Sequence, residues 1–298
     1  MYAKRSLTYG LVLMISVLVG ATLPGQVPAD VLAAPAAATP DDAKPRGPQP
    51  FVTLFCQFPD LPADEGLREY YRAVMGDQAP GLADYWREVS YGQINLTDNQ
   101  IGEWYPLPQP AGAYQLRPTD QMTLRRLAED CTAAADEGIF FPHYAGINLV
   151  FNYCPDTAYG GALTLERDGQ EKRYGITWLC TGKYGWQKTL AHEMGHTFGM
   201  GHSSDSSEDV YSNPWDIMSV CSYCRINPAY GLIAQHPIAY QKDQLGWIPA
   251  ERKYVAQPGS PVQITLEQLA QPSADGYLMA VIPLPGEGGR FYTVEARR

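Results

Sequence analysis

The chain carries no concentrated run of lysine and arginine. Its 22 basic residues face 32 acidic ones, the formal net charge is −10 and the isoelectric point is about 4.9. Affinity for nucleic acid comes mainly from neutralising phosphates, so an acidic chain without a basic patch falls outside that class. The plain reading of the acidity is that it favours solubility. An apolar run of bilayer length is also missing. The stretch from Leu11 to Ala21 is interrupted by Ser16 and Gly20 and is well short of the ~20 residues that cross a hydrocarbon core. No later segment is apolar enough to span, and internal repeats are absent. Cys221 and Cys224 form a CxxC with no second CxxC to complete a four-thiolate zinc knuckle. Histidine is scarce, with five in 298 residues.

What is present begins with Lys4 and Arg5, then the short apolar run, then "PGQVPADVLAAPAAATPDD". A basic flank, an apolar stretch of this length and small residues beyond it describe a secretory signal peptide. Cleavage can follow Ala29, Ala33 or Ala34, and residues 1–33 are assigned to the signal. The rival is an uncleaved anchor; after cleavage no stable membrane insertion is expected. Residues 34–50 read as a Pro/Ala-rich linker. The expected location is extracellular, where Cys56, Cys131, Cys154, Cys180, Cys221 and Cys224 would form disulfides. Six cysteines allow about 15 pairings, and spacing does not choose among them.

From Phe51 onward the pattern alternates between strands and helices, an α+β arrangement. "FVTLFCQF" and "INLVFN" read as strands, "LREYYRAVM" and "LADYWREVS" as helices, and "QINLTDNQIGEWYPL" as extended. Residues 118–138 form the clearest long helix, with Thr119 or Asp120 as cap and Gly138 as its end. Asp168-Gly169 marks a hairpin turn. "WQKTLAHEMGHTFG" is helical up to Gly199, residues 200–235 are mostly irregular, and "HPIAYQKDQLGWI" is a last helix. We expect one domain over 51–249 and a β-rich accessory segment over 250–298, where "PVQITLEQL", "YLMAVIPL" and "RFYTVEAR" read as strands. The last of these runs into the end of the sequence, an expectation of truncation.

Three of the five histidines fall in "HEMGHTFGMGH". Residues four apart on an α-helix lie one above the other, so His192 and His196 can aim at one ion. Glu193, beside the first histidine, has the position of a general base. A continuing helix would carry residue 202 away from that ion. Gly199 can adopt positive φ, end the helix and turn the chain back, so that His202 approaches from another side. Three imidazoles and one exchangeable position describe a catalytic zinc site.

The full H-E-x-x-H-x-x-G-x-x-H pattern resembles the signature of the metzincin zinc peptidases. "YWREVSYGQINLT", "HEMGHTFGMGHS", "WDIMS" and "AYQKDQLGWI" are similar to secreted peptidases of the gametolysin and immune-inhibitor-A type, over roughly residues 51–298. The resemblance implies a twisted mixed sheet with an active-site helix, and an irregular C-terminal subdomain whose Met-turn places Met218 beneath the metal. It implies one catalytic Zn2+ on His192, His196 and His202, Glu193 as base, and a protein or peptide substrate lying along an edge strand, for which Gly160–Leu165 is the candidate. Immune inhibitor A has Asp as third ligand where this chain has His202. Astacin- and serralysin-like members place a tyrosine two residues after the Met-turn methionine; Val220 stands there, with Tyr223 nearby. No cysteine precedes Phe51 to serve as a metal-blocking prodomain thiol.

The competing class is a non-catalytic zinc-containing binding or adhesion protein. It would need a fourth protein ligand, from Cys221, Cys224, His236, Asp205 or Asp216, and it leaves Glu193 without a purpose. His143 and His236 read as structural. Asp205, Glu208 and Asp209 lack EF-hand spacing, so Ca2+ is unsupported. The oligomeric state is not encoded legibly.

Overall fold

The computed structural model describes residues 44–114, 120–153, 158–179, 186–204, 211–220, 224–257, 259, 261–284, 286 and 289–297. Residues 1–43, which include the stretch expected to be a signal peptide and most of the Pro/Ala-rich stretch, lie outside them. Among the described residues no helix is long and apolar enough to cross a membrane. The chain divides into two compact units, one over 44–247 and one beginning at 248.

In the first unit the elements run β1 (Gly47–Pro48), β2 (Phe51–Gln57), α1 (Gly66–Val74), α2 (Leu82–Val89), β3 (Ile94–Asn95), β4 (Gln100–Pro106), α3 (Gln121–Ala135), β5 (Gly146–Phe151), β6 (Tyr159–Arg167), β7 (Gln170–Leu179), α4 (Gln187–Thr197), β8 (Arg225–Asn227), β9 (Gly231–Ile233) and α5 (Ala239–Gln244). The five-stranded sheet has the order β4-β2-β5-β7-β6. Its first four strands are parallel, and β6 is an antiparallel edge. The fold is therefore α+β with a mixed sheet.

A parallel strand covered on both faces has to be apolar at successive positions. The run "FVTLFC" meets that need. Phe51 and Phe55 enter a core with Trp86, Leu190, Met194 and Phe198, while Val52, Leu54 and Cys56 enter another with Leu124, Leu127 and Ile147. The first core seats α1, α2 and α4, and the second seats α3. A disulfide between Cys56 and Cys131, 75 residues apart, ties β2 to α3. Asn148 of β5 donates to Thr53 Oγ1 of β2 at 3.2 Å and accepts from Thr177 Oγ1 of β7 at 2.8 Å. These three fully buried residues are register partners across the central strands. A one-residue slip would orphan them in an apolar layer, which fixes the pairing.

The structure departs from the sequence expectation in several places. Residues 44–50 are not a free linker. β1 pairs with β3, and Arg46 donates to the Leu245 and Gly246 carbonyls at 3.0 and 2.8 Å. Helix α3 is shorter than expected: Asp120 caps it by accepting from the Met122 and Thr123 amides, and it ends at Ala135. Thr119 lies outside the described residues. Region 200–235 contains the β8–β9 hairpin, whose three-residue strands are too short to show a period. Helix α5 is confined to six residues by Pro237 before it and Gly246, at φ +69°, after it.

The second unit holds a three-stranded sheet of β10 (Lys253–Val255), β11 (Met279–Pro283) and β12 (Phe291–Val294). "PVQITLEQL" does not form the expected strand and contributes only isolated bridges at Leu266 and Gln268. Glu267 instead accepts from the Ser273, Ala274 and Gly276 amides and faces Arg252, so its carboxylate closes a loop rather than lying along a ladder.

Candidate metal centre

Helix α4 reaches its place because two strand residues have no side chain. A Cβ on Gly160 of β6 would sit 2.2 Å from the Glu193 carbonyl oxygen, and one on Gly175 of β7 would sit 2.6 Å from Thr197 Cβ. Helix backbone therefore rests directly on β6 at Gly160, and the Thr197 side chain fills the space over Gly175 of β7. Leu190, Ala191 and Met194 point into the core, which rotates His192 and His196 toward the opposite side.

The helix ends in a Schellman turn. Met200 N–H bonds the Gly195 carbonyl at 2.9 Å, Gly199 N–H bonds the His196 carbonyl at 3.0 Å, and Gly199 has φ +97°. The Met200 carbonyl, turned back by this geometry, accepts from His196 Nδ1 at 2.9 Å. One turn thus returns the chain for His202 and also orients the second ring. His192 Nδ1 donates to the Ile217 carbonyl at 2.8 Å. A carbonyl only accepts, so both Nδ1 atoms carry the proton and both Nε2 atoms present bare lone pairs.

The ring nitrogens converge. His196 Nε2 lies 3.0 Å from His202 Nε2, and one nitrogen from each of the three rings lies within 4.8 Å of the others. Burial lowers the pKa of all three, that of His192 to about 3, with the neighbouring imidazoles acting in the same direction on His192 and His196. Three rings kept neutral by burial, with their nitrogens gathered this closely, form a ligand set for a cation. The chemistry of this donor set fits a metal ion, and the group can hold one. It is the one such group of His, Cys, Asp and Glu among the described residues.

Glu193 is 7% exposed on the same turn, close to the trio yet outside it. Burial pushes its pKa up to about 8, opposed by the charge of Lys188, whose own pKa burial lowers. A bound dication would act with Lys188 to favour the carboxylate.

The segment around Met218 forms the floor. Met218 is fully buried, and its sulfur would lie 2.5 Å from a Cβ on Gly195, so that glycine admits it beneath the helix. The Met218 carbonyl accepts from the Ser203 amide at 3.1 Å, and Gln241 of α5 donates to the Gly201 carbonyl at 2.6 Å. The irregular segment that carries His202 is held on both sides of it.

Tyr211 was not foreseen in the sequence. Its hydroxyl lies 3.2 Å from His202 Nε2, and the two ring centroids are 4.5 Å apart. Val220 N–H donates to the Tyr211 carbonyl at 3.2 Å, which joins Tyr211 to the chain just past Met218. A tyrosine nine residues beyond a histidine in a Ser/Asp-rich stretch shows no periodicity, so no sequence signal marked it. Tyr223, Cys221, Asp205, Glu208 and Asp209 lie outside the described residues.

The other candidates stand apart from the trio. His236 contacts Glu88 at 3.0 Å and Lys242 Nζ at 3.3 Å, Asp216 accepts from the Met218 and Ile238 amides, and Cys224 is disulfide-bonded. The His143 ring packs edge-on against Tyr144. A cavity of about 640 Å³ between α3 and the β6–β7 turn is lined by Arg125, Glu129, Asp130 and Arg167 among others and includes none of the trio. Much of its wall charge is neutralised internally, as by the Arg125–Glu129 and Arg126–Asp130 pairs. Neither protein-family models nor curated proteins match this chain.

Proposed function

We propose that the protein is a secreted zinc-dependent endopeptidase of the metzincin type. The observation that carries the reading is the convergence of nitrogens from three imidazole rings beside a buried carboxylate that is not one of them. His192, His196 and His202 would hold the ion. Zinc, when bound, supplies Lewis acidity, lowering the pKa of a water and polarising a peptide carbonyl.

The chain's own residues supply the rest. Glu193 accepts a proton from the attacking water as its oxygen adds to the carbonyl carbon, then delivers that proton to the departing amine. Burial raises the carboxylate's proton affinity and a bound cation would lower it, so the two act in opposite directions on the base. Strand β6 is the sheet edge nearest α4, with Gly160 against the Glu193 backbone. An extended peptide adding to that edge would lie alongside the base. Secretion is supported by the signal-like N-terminus and by the Cys56–Cys131 disulfide.

The test is a peptide-library digest with metal analysis, with and without a chelator. Chelator-sensitive cleavage with about one zinc per chain is expected, and zinc-replete protein that cleaves nothing would refute the peptidase reading. Glu193→Ala should keep zinc while losing about 10²–10⁴-fold in turnover. Equal turnover in that variant would remove Glu193 as the base.

A further inference from the structure

We infer that Tyr211 is a further catalytic residue, whose hydroxyl donates a hydrogen bond to the substrate carbonyl oxygen as negative charge develops on it. This rests on the peptidase reading. The hydroxyl contacts, at 3.2 Å, the same nitrogen of His202 that faces His196 Nε2. Its ring packs on His202 at 4.5 Å and lies 6.4 Å from His192, so the phenol leans over the trio from one side. A cation on the trio takes the His202 Nε2 lone pair, and that nitrogen then no longer accepts from the phenol. The O–H remains at the rim of the place the three nitrogens enclose, where a substrate oxygen approaching the cation would arrive.

The backbone makes the position durable. The Tyr211 carbonyl accepts from Val220, and two residues earlier the Met218 carbonyl accepts from Ser203, next to His202. Tyr211 and His202 are thus tied to one floor segment. The side chain is 40% exposed, which leaves it open to a peptide arriving from solvent. In the step itself, the water oxygen bonds to the carbonyl carbon, the C=O π pair moves onto oxygen and Glu193 receives the water proton. The phenol proton stays on Tyr211 and is shared with the new oxyanion. A donor preorganised for charge that appears only in the transition state acts on turnover and leaves ground-state binding largely alone.

The test compares full-length Tyr211→Phe with the parent, both zinc-loaded. Zinc affinity and KM within about threefold of the parent are expected, with kcat lowered about 10²–10³-fold. Affinity for a phosphinic peptide, whose tetrahedral anionic group copies the addition geometry, should fall markedly in the variant, while affinity for the matching cleaved-product peptide should not. Unchanged kcat or unchanged phosphinate affinity would overturn the inference. So would zinc affinity falling in step with activity, which would make Tyr211 a support for His202. A tyrosinate charge-transfer band in the copper-substituted parent, absent in the variant, would make it a metal ligand and overturn the inference as well. If the parent cleaves no peptide, the peptidase reading fails on that arm alone. The phosphinate comparison still decides for or against Tyr211.

Discussion

At the scale of single residues, the centre depends on which groups are kept neutral. His192 is held neutral down to about pH 3 by burial. Because its folded pKa is depressed, its contribution to stability is present above the ordinary value near 6.5 and is lost as pH falls toward 3. Protons then compete poorly for the trio: bound zinc should be retained as pH drops through 6.5, and release should begin well below it. A zinc-sensitive dye titrated against pH checks this, and release starting above pH 6.5 would contradict it. Glu193 has the opposite sign. Its pKa is raised from 4.5 to about 8, so in the metal-free protein its contribution is complete below 4.5 and is lost as pH rises toward 8. Glu193→Gln should therefore stabilise the metal-free fold at pH 8, by up to about 4 kcal/mol, and leave it unchanged near pH 4.5. Urea unfolding at the two pH values measures the difference, and equal effects at both would contradict the assignment.

At the scale of elements, close contact between α4 and the sheet is a property of β6 and β7 as much as of the helix. Gly160→Ala would drive a methyl into the Glu193 backbone. The helix must then lift, and a displacement near 1 Å is enough to cost about 10²-fold in turnover. We expect such a loss with the global fold kept, checked by activity alongside circular dichroism; parent-like activity would show that the helix does not need this seat. The Asn148 row makes a separate prediction. Asn148→Leu removes the shared partner of Thr53 and Thr177 and leaves two buried hydroxyls without it. A loss of about 2–3 kcal/mol is expected by urea unfolding. A neutral result would mean that packing alone sets the register.

For the whole molecule, what was legible in the sequence follows from how local each signal is. The histidine spacing, the Gly199 turn and the Asp168-Gly169 hairpin are encoded within a few consecutive residues, and the structure has a helix, a Schellman turn and a two-residue turn at those places. The order of the five strands and the seating of Gly160 under Glu193 depend on pairs dozens of residues apart, and no single window contains them. Tyr211 belongs to that second kind, as does Arg46 at the end of α5. The Glu267 loop failed as a strand for a different reason: an alternating apolar pattern says nothing about a carboxylate that folds back onto three amides. The disulfide is also long-range. Opening the 75-residue separation by replacing Cys56 and Cys131 with alanine should lower stability by about 4 kcal/mol in the chain-entropy picture. It should leave zinc affinity unaltered, because neither cysteine lies in the metal centre. Calorimetry with zinc titration checks both parts, and a variant that loses zinc binding while folded would contradict the separation.

The geometry at the trio can be measured directly by X-ray absorption at the zinc edge on the full-length, zinc-loaded protein. The account predicts three imidazole nitrogens at about 2.0–2.1 Å and one further oxygen that exchanges with solvent. A sulfur or a fourth protein nitrogen in the first coordination shell, or a shell of oxygens alone, would contradict it.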